Sequence, residues 1–244
     1  MADRDASAQA YGHSLADIYD LAYDTKDYAA EAKYLVSAVR RHHPQASSLL
    51  ETAAGTGRFL ELLRLQFTDI EGLDLSAAML TRAALRVPGV RLHEADMTTF
   101  EIGRTFDVVC CLFRSIAYCG TVERLRAAVR AMAQHLAPDG LLVIEPFFSP
   151  ATYWVGRVTA NKAERGDFKL AWMYVSEREH AMARLRIHYM AGTPAGVEHF
   201  EELHELGLFD RADFEAAFEA AGLQLQFDAG GPNATGLYIG SRAA

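Results

Sequence analysis

Three acidic residues stand at matching places in the first half of this 244-residue chain. Glu51 follows the apolar pair Leu49-Leu50 and opens the run Thr52-Ala53-Ala54-Gly55-Thr56-Gly57-Arg58-Phe59, the pattern of a strand that passes through a glycine turn into a helix. Glycines in such a turn let the backbone approach a ligand closely, and an acid at the strand end takes hydrogen bonds from a ligand's ammonium group. Asp74, within Gly72-Leu73-Asp74-Leu75-Ser76, ends a second apolar strand about 20 residues beyond Gly55, where its carboxylate can accept both hydroxyls of an adenosine ribose. Asp96, within Glu94-Ala95-Asp96-Met97, follows a third strand and is placed to receive an adenine amino group. A lone Gly-x-Gly turn or a lone strand-end Asp also occurs in ordinary loops and helix caps, so the order and spacing of all three carry the inference. A dinucleotide fits less well, because the third glycine of Gly-x-Gly-x-x-Gly falls at Leu60.

Positioning these residues requires alternating strands and helices. The pattern predicts strands at 48–52, 70–75, 90–94, 106–113 and 141–147, with helices at 59–67, 77–86 and 122–136 between them and Pro138-Asp139-Gly140 as the turn that ends the last helix. Fully apolar runs such as Val108-Val109-Cys110-Cys111-Leu112-Phe113 suit a parallel sheet covered on both faces. Two helices precede the first strand, one in the run from Tyr11 to Tyr23 and an amphipathic one from Asp27 to His42, with His42 and His43 at its surface end. Residues 1 to 10 are small, polar and without periodicity, and are expected to be disordered. After Pro150 the texture changes. Phe168, Leu170, Trp172 and Tyr174 alternate with Lys169, Ala171 and Met173, and Leu185, Ile187 and Tyr189 alternate with Arg184, Arg186 and His188, as in antiparallel strands with one solvated face. A further strand at 198–209, a helix capped by Asp210 and a closing hairpin at 223–227 and 236–240 complete the chain. The fold expected is α/β, a Rossmann-like doubly wound sheet with an antiparallel β insertion after the fifth strand. Residues 1–147 and 205–244 form the ligand-binding domain and 148–204 the insertion on the substrate side.

Composition narrows the partners. The chain carries 32 acidic against 24 basic residues, a formal charge of −8, and no basic stripe able to neutralise a phosphate backbone, which argues against nucleic acid. The longest apolar runs are of strand length and residues 1 to 10 lack an apolar core, so no membrane association and a cytoplasmic location are expected. Cys110, Cys111 and Cys119 read as free thiols, the first two pointing to opposite faces of one strand. No Cys-x-x-Cys or His-Glu-x-x-His pattern signals a metal site. A monomer and a homodimer are both compatible with the sequence.

The strand-end acids and glycine turn resemble the signature of class I S-adenosylmethionine-dependent methyltransferases over residues 45 to 147. The resemblance extends further. The run from Tyr11 to Leu21, the stretches CLFRSIAY, HLAPDG and VIEPFFSP, and the tail LFDRADFEAAFEAAG followed by GGPNATGLYIG resemble the TDP-amino-sugar N-methyltransferases of macrolide biosynthesis. It implies S-adenosylmethionine as cofactor, lined by Glu51, Ala53, Gly55, Asp74, Leu75, Met79, Asp96, Met97 and Leu112, with Tyr19 closing over it. The methyl of a sulfonium is already electrophilic, so such an enzyme must align an unprotonated amine behind it and exclude water. Tyr118 and Tyr11 are the expected catalytic residues, with Glu145, His199 and His204 as further proton acceptors. Where this chain has Tyr118 those relatives typically carry histidine; a phenol of pKa about 10 is a poorer base near neutrality than an imidazole of about 6.5, so Tyr118 is expected to orient the amine.

A second departure is the closing hairpin, where relatives have an arginine against the nucleotide phosphates and this chain has Ala234-Thr235-Gly236. Neutral threonine cannot replace a bidentate cation, which leaves Arg157, Lys162 and Arg165 as candidate replacements, or a small amine other than a nucleotide sugar as substrate. A different reaction is also open: if Phe147, Tyr153, Trp172 and Tyr174 closed a cage on the sulfonium, the cofactor's own amine could attack intramolecularly and release methylthioadenosine. A third possibility is a protein that binds the cofactor only to sense it or to scaffold a partner.

Overall fold

The computed structural model describes residues 13–231 and 235–242, with residues 13–17 described by backbone alone. Tyr11, the polar segment 1–10 and Ala234 lie outside the described residues.

The chain enters through α1 (His13–Ala22) and α2 (Tyr28–His42). Asp27 starts α2 by accepting from the Ala30 amide at 2.8 Å, and Arg40, Arg41 and His42 in its last turn complement the negative end of the helix dipole. Next come β1 (Ser48–Thr52), α3 (Arg58–Leu63), β2 (Asp69–Asp74), α4 (Ala77–Arg86), β3 (Arg91–Glu94), β4 (Phe106–Cys111), a 3-10 helix (Ser115–Cys119), α5 (Val122–Gln134) and β5 (Leu136–Ile144). After the antiparallel strands β6 (Val158–Arg165), β7 (Phe168–Val175), β8 (Glu177–Glu179), β9 (Met182–Thr193) and β10 (Gly196–Gly207), the chain returns through α6 (Arg211–Ala220), β11 (Leu223–Asp228) and β12 (Leu237–Arg242).

The main sheet has seven strands in the order β11-β12-β5-β4-β1-β2-β3, parallel except for β12, which runs against both neighbours. Strand order reverses between β1 and β4, the switch point beyond which ligands bind in such sheets. One face packs on α5 and α6 through Leu125, Val129, Met132, Phe214 and Phe218, and the other on α2 and α3 through Leu35, Val39, Phe59 and Leu63. Cys111 belongs to the first cluster and Cys110 to the second, both without exposure, as alternation along β4 requires. The second sheet, β10-β9-β7-β6 with β8 paired to β9, buries Leu170, Ile187 and Tyr189 against Ile18 and Leu21 of α1. Helix α1 is therefore held between the two sheets' territories, packing on α4 and on β6.

The sequence-based expectations fail at identifiable places. Pro138-Asp139-Gly140 does not end α5, which stops at Gln134 with the His135 amide capping it. Phe106 already pairs with Leu136, and its amide donates to the His135 carbonyl, while Val108 pairs with Leu141, so the Pro-Asp-Gly segment is looped out inside β5 as a bulge. Strand β4 ends at Cys111, two residues early, because Phe113 and Arg114 take left-handed φ values of 52° and 62°. Strand β6 was not anticipated: Val-Thr-Ala-Asn-Lys-Ala-Glu-Arg is mostly polar and exposed, the composition of a protected edge.

Candidate active site

The glycine turn is built from left-handed residues. Ala53, Gly55 and Gly57 have φ of 53°, 56° and 77°, which folds the backbone over on itself beyond β1, with the Ala54 amide donating to the Leu73 carbonyl and the Gly57 amide to the Ala54 carbonyl. A Cβ built on Gly55 would meet no atom within 4 Å, so the turn leaves an open cradle. Asp74, at the end of β2, accepts from the Gly55 amide through Oδ2 and from the Ser76 amide through Oδ1, each at 2.8 Å, tying the turn to the start of α4. Burial raises the Asp74 pKa, and the amides of Ser76, Gly55 and Leu75 offset part of that rise. Glu51 is 2 % exposed and its Oε2 has no hydrogen-bond partner. Burial first, and then the charge of Asp74, hold its pKa well above the usual carboxylate value. A buried carboxylate in that state gains most from a cation delivered to its free oxygen.

Two adjoining cavities, both open to solvent, lie at these strand ends. Asp74, Leu75, Met79, Asp96, Met97 and Tyr118 line the larger. Glu51 and Leu112 line the smaller, and Tyr19, Ala53 and Gly55 line both. Tyr19, Glu51, Ala53, Gly55, Asp74, Leu75, Met79, Asp96, Met97, Leu112 and Tyr118 thus lie on one continuous cleft, whereas Glu145, His199 and His204 do not line it. The cleft fits an adenosine joined to an amino-acid tail, with the orphaned Glu51 oxygen at one end and the Asp74 and Asp96 carboxylates at the other.

Several supporting residues carry no local sequence signal. Asp96 Oδ1 accepts from the Thr98 amide and hydroxyl at 2.8 and 2.7 Å, and Oδ2 from Arg124 at 3.2 Å. Burial pushes its pKa up, but Thr98 and Arg124 outweigh this and hold it below the usual value. On α1, Asp20 pairs with Arg86 of α4 and Arg58 of α3 and accepts from the Thr56 hydroxyl at 2.7 Å, while Arg86 also donates to the Thr56 carbonyl. The helix bearing Tyr19 is thereby pinned to the glycine turn. Against the opposing effect of burial, these hydrogen bonds and charges depress the Asp20 pKa. The left-handed turn at Phe113 and Arg114 is held by Glu145, whose Oε2 accepts from the Phe113 amide at 2.7 Å and whose Oε1 lies 3.7 Å from Arg114 Nε. Glu145 is thus a buttress of the turn.

At the acceptor side the Tyr118 hydroxyl meets His204 Nδ1 at 2.8 Å. His199 instead lies on the solvent face of the second sheet, stacked on His188 beside Glu201, a group whose ligand-type atoms lie within 4.8 Å of one another. The four aromatics proposed as a sulfonium cage are divided: Phe147 and Tyr153 pack near Tyr118, whereas Trp172 and Tyr174 belong to the cluster beneath α1. Arg157 stacks on exposed Trp154, and none of Arg157, Lys162 and Arg165 lines these cavities. Two cations line the cleft itself, Arg124 paired with Asp96 and Arg58 paired with Asp20 and Asp24, while Lys26 and Arg114 line a neighbouring open pocket next to Phe113.

A seven-stranded sheet of this order with an acid-lined cleft at its switch point defines an S-adenosylmethionine-binding class I fold, and the chain belongs to the methyltransferase domain family, whose profile matches residues 23–226. It is an S-adenosylmethionine-dependent methyltransferase acting on nitrogen of a small molecule. It is 44 % identical over 228 residues, 92 % of this chain and 96 % of the relative, to the dTDP-3-amino-3,4,6-trideoxy-alpha-D-glucopyranose N,N-dimethyltransferase of Streptomyces venezuelae. It is 42 % identical over 233 residues, 94 % of this chain and 91 % of the relative, to the dTDP-3-amino-3,6-dideoxy-alpha-D-glucopyranose N,N-dimethyltransferase of Streptomyces fradiae. The S-adenosylmethionine-bound structure of CalS10, an amino pentose methyltransferase from Micromonospora echinaspora involved in calicheamicin biosynthesis, superposes with a TM-score of 0.86 at 38 % identity, over 93 % of this chain and 97 % of that one. Together with the divided cage, these relatives disfavour intramolecular cyclisation of the cofactor. Among the described residues no helix is long and apolar enough to cross a membrane.

Proposed function

We propose that the chain transfers methyl groups, twice in succession, to the amine of a dTDP-linked amino-deoxysugar. The observation that carries this is the continuous cleft with Glu51, Asp74 and Asp96 at three successive strand ends, in a chain 42–44 % identical to two dimethyltransferases of such sugars. Glu51 would take the cofactor's ammonium on its orphaned oxygen, Asp74 the ribose hydroxyls on its remaining lone pairs, and Asp96 the adenine amino group. Ala53, Gly55, Leu75, Met79, Met97 and Leu112 shape the walls and Tyr19 covers them. When bound, the cofactor supplies an electrophilic methyl; the protein's part is to orient the amine, keep it unprotonated and exclude water. Tyr118, and Tyr11 from the N-terminal segment, would hold the amine. Residues 148–204 form most of the acceptor side, and Lys26 and Arg114 face the diphosphate in place of the missing hairpin arginine. We place the reaction in the cytoplasm, where the three free thiols remain reduced.

Mass spectrometry of the purified protein with S-adenosylmethionine and a panel of dTDP-amino-deoxysugars tests this reading. Mono- and then dimethylated sugar with matching S-adenosylhomocysteine is the expected result. Methylthioadenosine formed without any acceptor, or cofactor binding with no turnover on the panel, overturns it.

A further inference from the structure

Strand β10 alternates in burial along its second half, and Glu202 and His204, two residues apart, point to the same buried face. They are 8 % and 6 % exposed, with His204 Nε2 and Glu202 Oε2 3.6 Å apart. Across the ladder on β9 their neighbours are Ile187 and Leu185, which are apolar. Among the described residues, two tyrosines face the pair from other elements: Tyr118 from the 3-10 helix, and Tyr23 just after α1, which feels both Glu202 and Tyr174 of β7. An acid and an imidazole buried beside phenols and aliphatic groups are costly to keep, so their retention behind a residue of the cleft wall needs a reason. Tyr118 provides it, because its side chain lines the cleft while its hydroxyl reaches back to His204 Nδ1 at 2.8 Å. The three groups stand in file from the cleft to the interior of the second sheet, hydrogen-bonded between Tyr118 and His204 and with the facing Nε2 and Oε2 atoms 3.6 Å apart, close enough to meet by a small side-chain rotation.

We propose that Tyr118, His204 and Glu202 form a proton relay that strips the acceptor ammonium before each methyl transfer; this rests on the amino-sugar reading above. A sugar ammonium is unreactive until its lone pair is freed, and the monomethyl product must be deprotonated again before the second transfer. In the relay one ammonium N–H bond breaks and its proton joins the Tyr118 oxygen as that hydroxyl's own proton passes to His204 Nδ1. The proton on Nε2 then moves to the Glu202 carboxylate. The balance is ammonium plus carboxylate giving free amine plus carboxylic acid, with no electrons gained or lost. The imidazole is left as the opposite tautomer, and the file resets when Glu202 returns its proton to Nε2, the Nδ1 proton passes back to the Tyr118 oxygen and the Tyr118 proton leaves to water in the cleft. Burial pushes His204 down to about 4 and Glu202 up to about 8, so the imidazole stays neutral near pH 7 and the terminal acceptor matches an amine in basicity. Tyr118 is the member that touches the acceptor; His204 and Glu202 act through it.

The test compares kcat between pH 6 and 10 for the wild type, Glu202→Gln and Tyr118→Phe with a dTDP-amino-deoxysugar, alongside nitrogen-15 NMR of His204. The wild type is expected to rise towards a plateau near pH 8. Glu202→Gln is expected to lose about 10- to 100-fold in kcat at pH 7.5, with its plateau moved to higher pH and cofactor affinity unchanged. Tyr118→Phe shows the same loss should Glu202→Gln fold poorly. His204 should titrate its signals near pH 8 in the wild type and lose that transition in Glu202→Gln. Unchanged pH profiles in both variants, or a His204 signal blind to Glu202, overturn the relay while leaving methyl transfer standing. A wild type that methylates no such sugar overturns the acceptor reading and the relay with it.

Discussion

Asp74→Ala removes a carboxylate that both shapes the cleft and is expected to hold the cofactor. It accepts from the amides of Gly55 and Ser76, each at 2.8 Å, with the Leu75 amide also directed at it. Each carboxylate oxygen keeps a further lone pair, so two ribose hydroxyls can be accepted without displacing the amides. Two hydrogen bonds to a charged group at about 1.5–3 kcal/mol each give roughly 3–6 kcal/mol of binding energy, on the order of a hundredfold to ten-thousandfold in Kd. The amides open onto the cleft, where solvent replaces the carboxylate in the variant. Folding stability is therefore expected to fall by only about 1 kcal/mol, and Tm by about 2–4 °C. Isothermal titration calorimetry with S-adenosylmethionine and S-adenosylhomocysteine measures the first effect and a thermal melt the second. A variant that melts near the wild type and binds both ligands within about threefold of it would refute the assignment of Asp74 to the ribose.

Glu51→Gln should weaken S-adenosylmethionine more than S-adenosylhomocysteine lacking its amino group, because the lost contact is to that ammonium; equal weakening by calorimetry argues against it. Asp20→Ala, which unpins α1 from Arg58, Arg86 and Thr56, should raise the KM for the cofactor several-fold with a smaller change in kcat. Ala53→Gly relieves a left-handed alanine at a strain of about 1–2 kcal/mol, partly offset by added unfolded-state entropy, so Tm should rise by a degree or two rather than fall. Stability should also depend on pH through β10. Glu202 has a raised folded pKa of about 8, so stability falls as pH climbs from its unfolded value towards 8, while His204, depressed to about 4, adds stability as pH climbs from 4 to its unfolded value of about 6.5. The two slopes oppose each other below pH 6.5. Between pH 6.5 and 8 the His204 slope is gone, and Glu202 contributes a decline of up to about 1.4 kcal/mol per pH unit that a melt series in Glu202→Gln should lose relative to the wild type.

What was legible in the sequence is what short segments encode by themselves. Helix α4 falls on 77–86 as expected because Ser76 caps the Met79 amide and Val87 ends the run. The placement of the acids on the cleft was legible because strand-end position and the glycine turn locate them within a few residues. Pairings made by the tertiary fold left no such trace. Arg124 reaches Asp96 from 28 residues away, Arg86 reaches Asp20 from 66 and Tyr118 reaches His204 from 86, so nothing in either segment announces the partner. The polar edge strand β6 and the Pro-Asp-Gly bulge in β5 share one cause. Pairing with a neighbour already in place, β7 in one case and β4 in the other, overrides local turn and strand preferences.

The placement of the cysteines gives the chain an internal gauge of its own opening. Cys110 and Cys111 sit on opposite faces of the central strand β4, and burial pushes the first thiol well up and the second up to about 12. A thiol reagent cannot reach either until the sheet separates, so their labelling should follow global unfolding. Cys119 is equally buried but lines the cofactor cleft, and its labelling should follow local movement of the 3-10 helix. Three labelling rates resolved by peptide mass spectrometry would therefore separate breathing of the cleft from collapse of either half of the core, without introducing a probe.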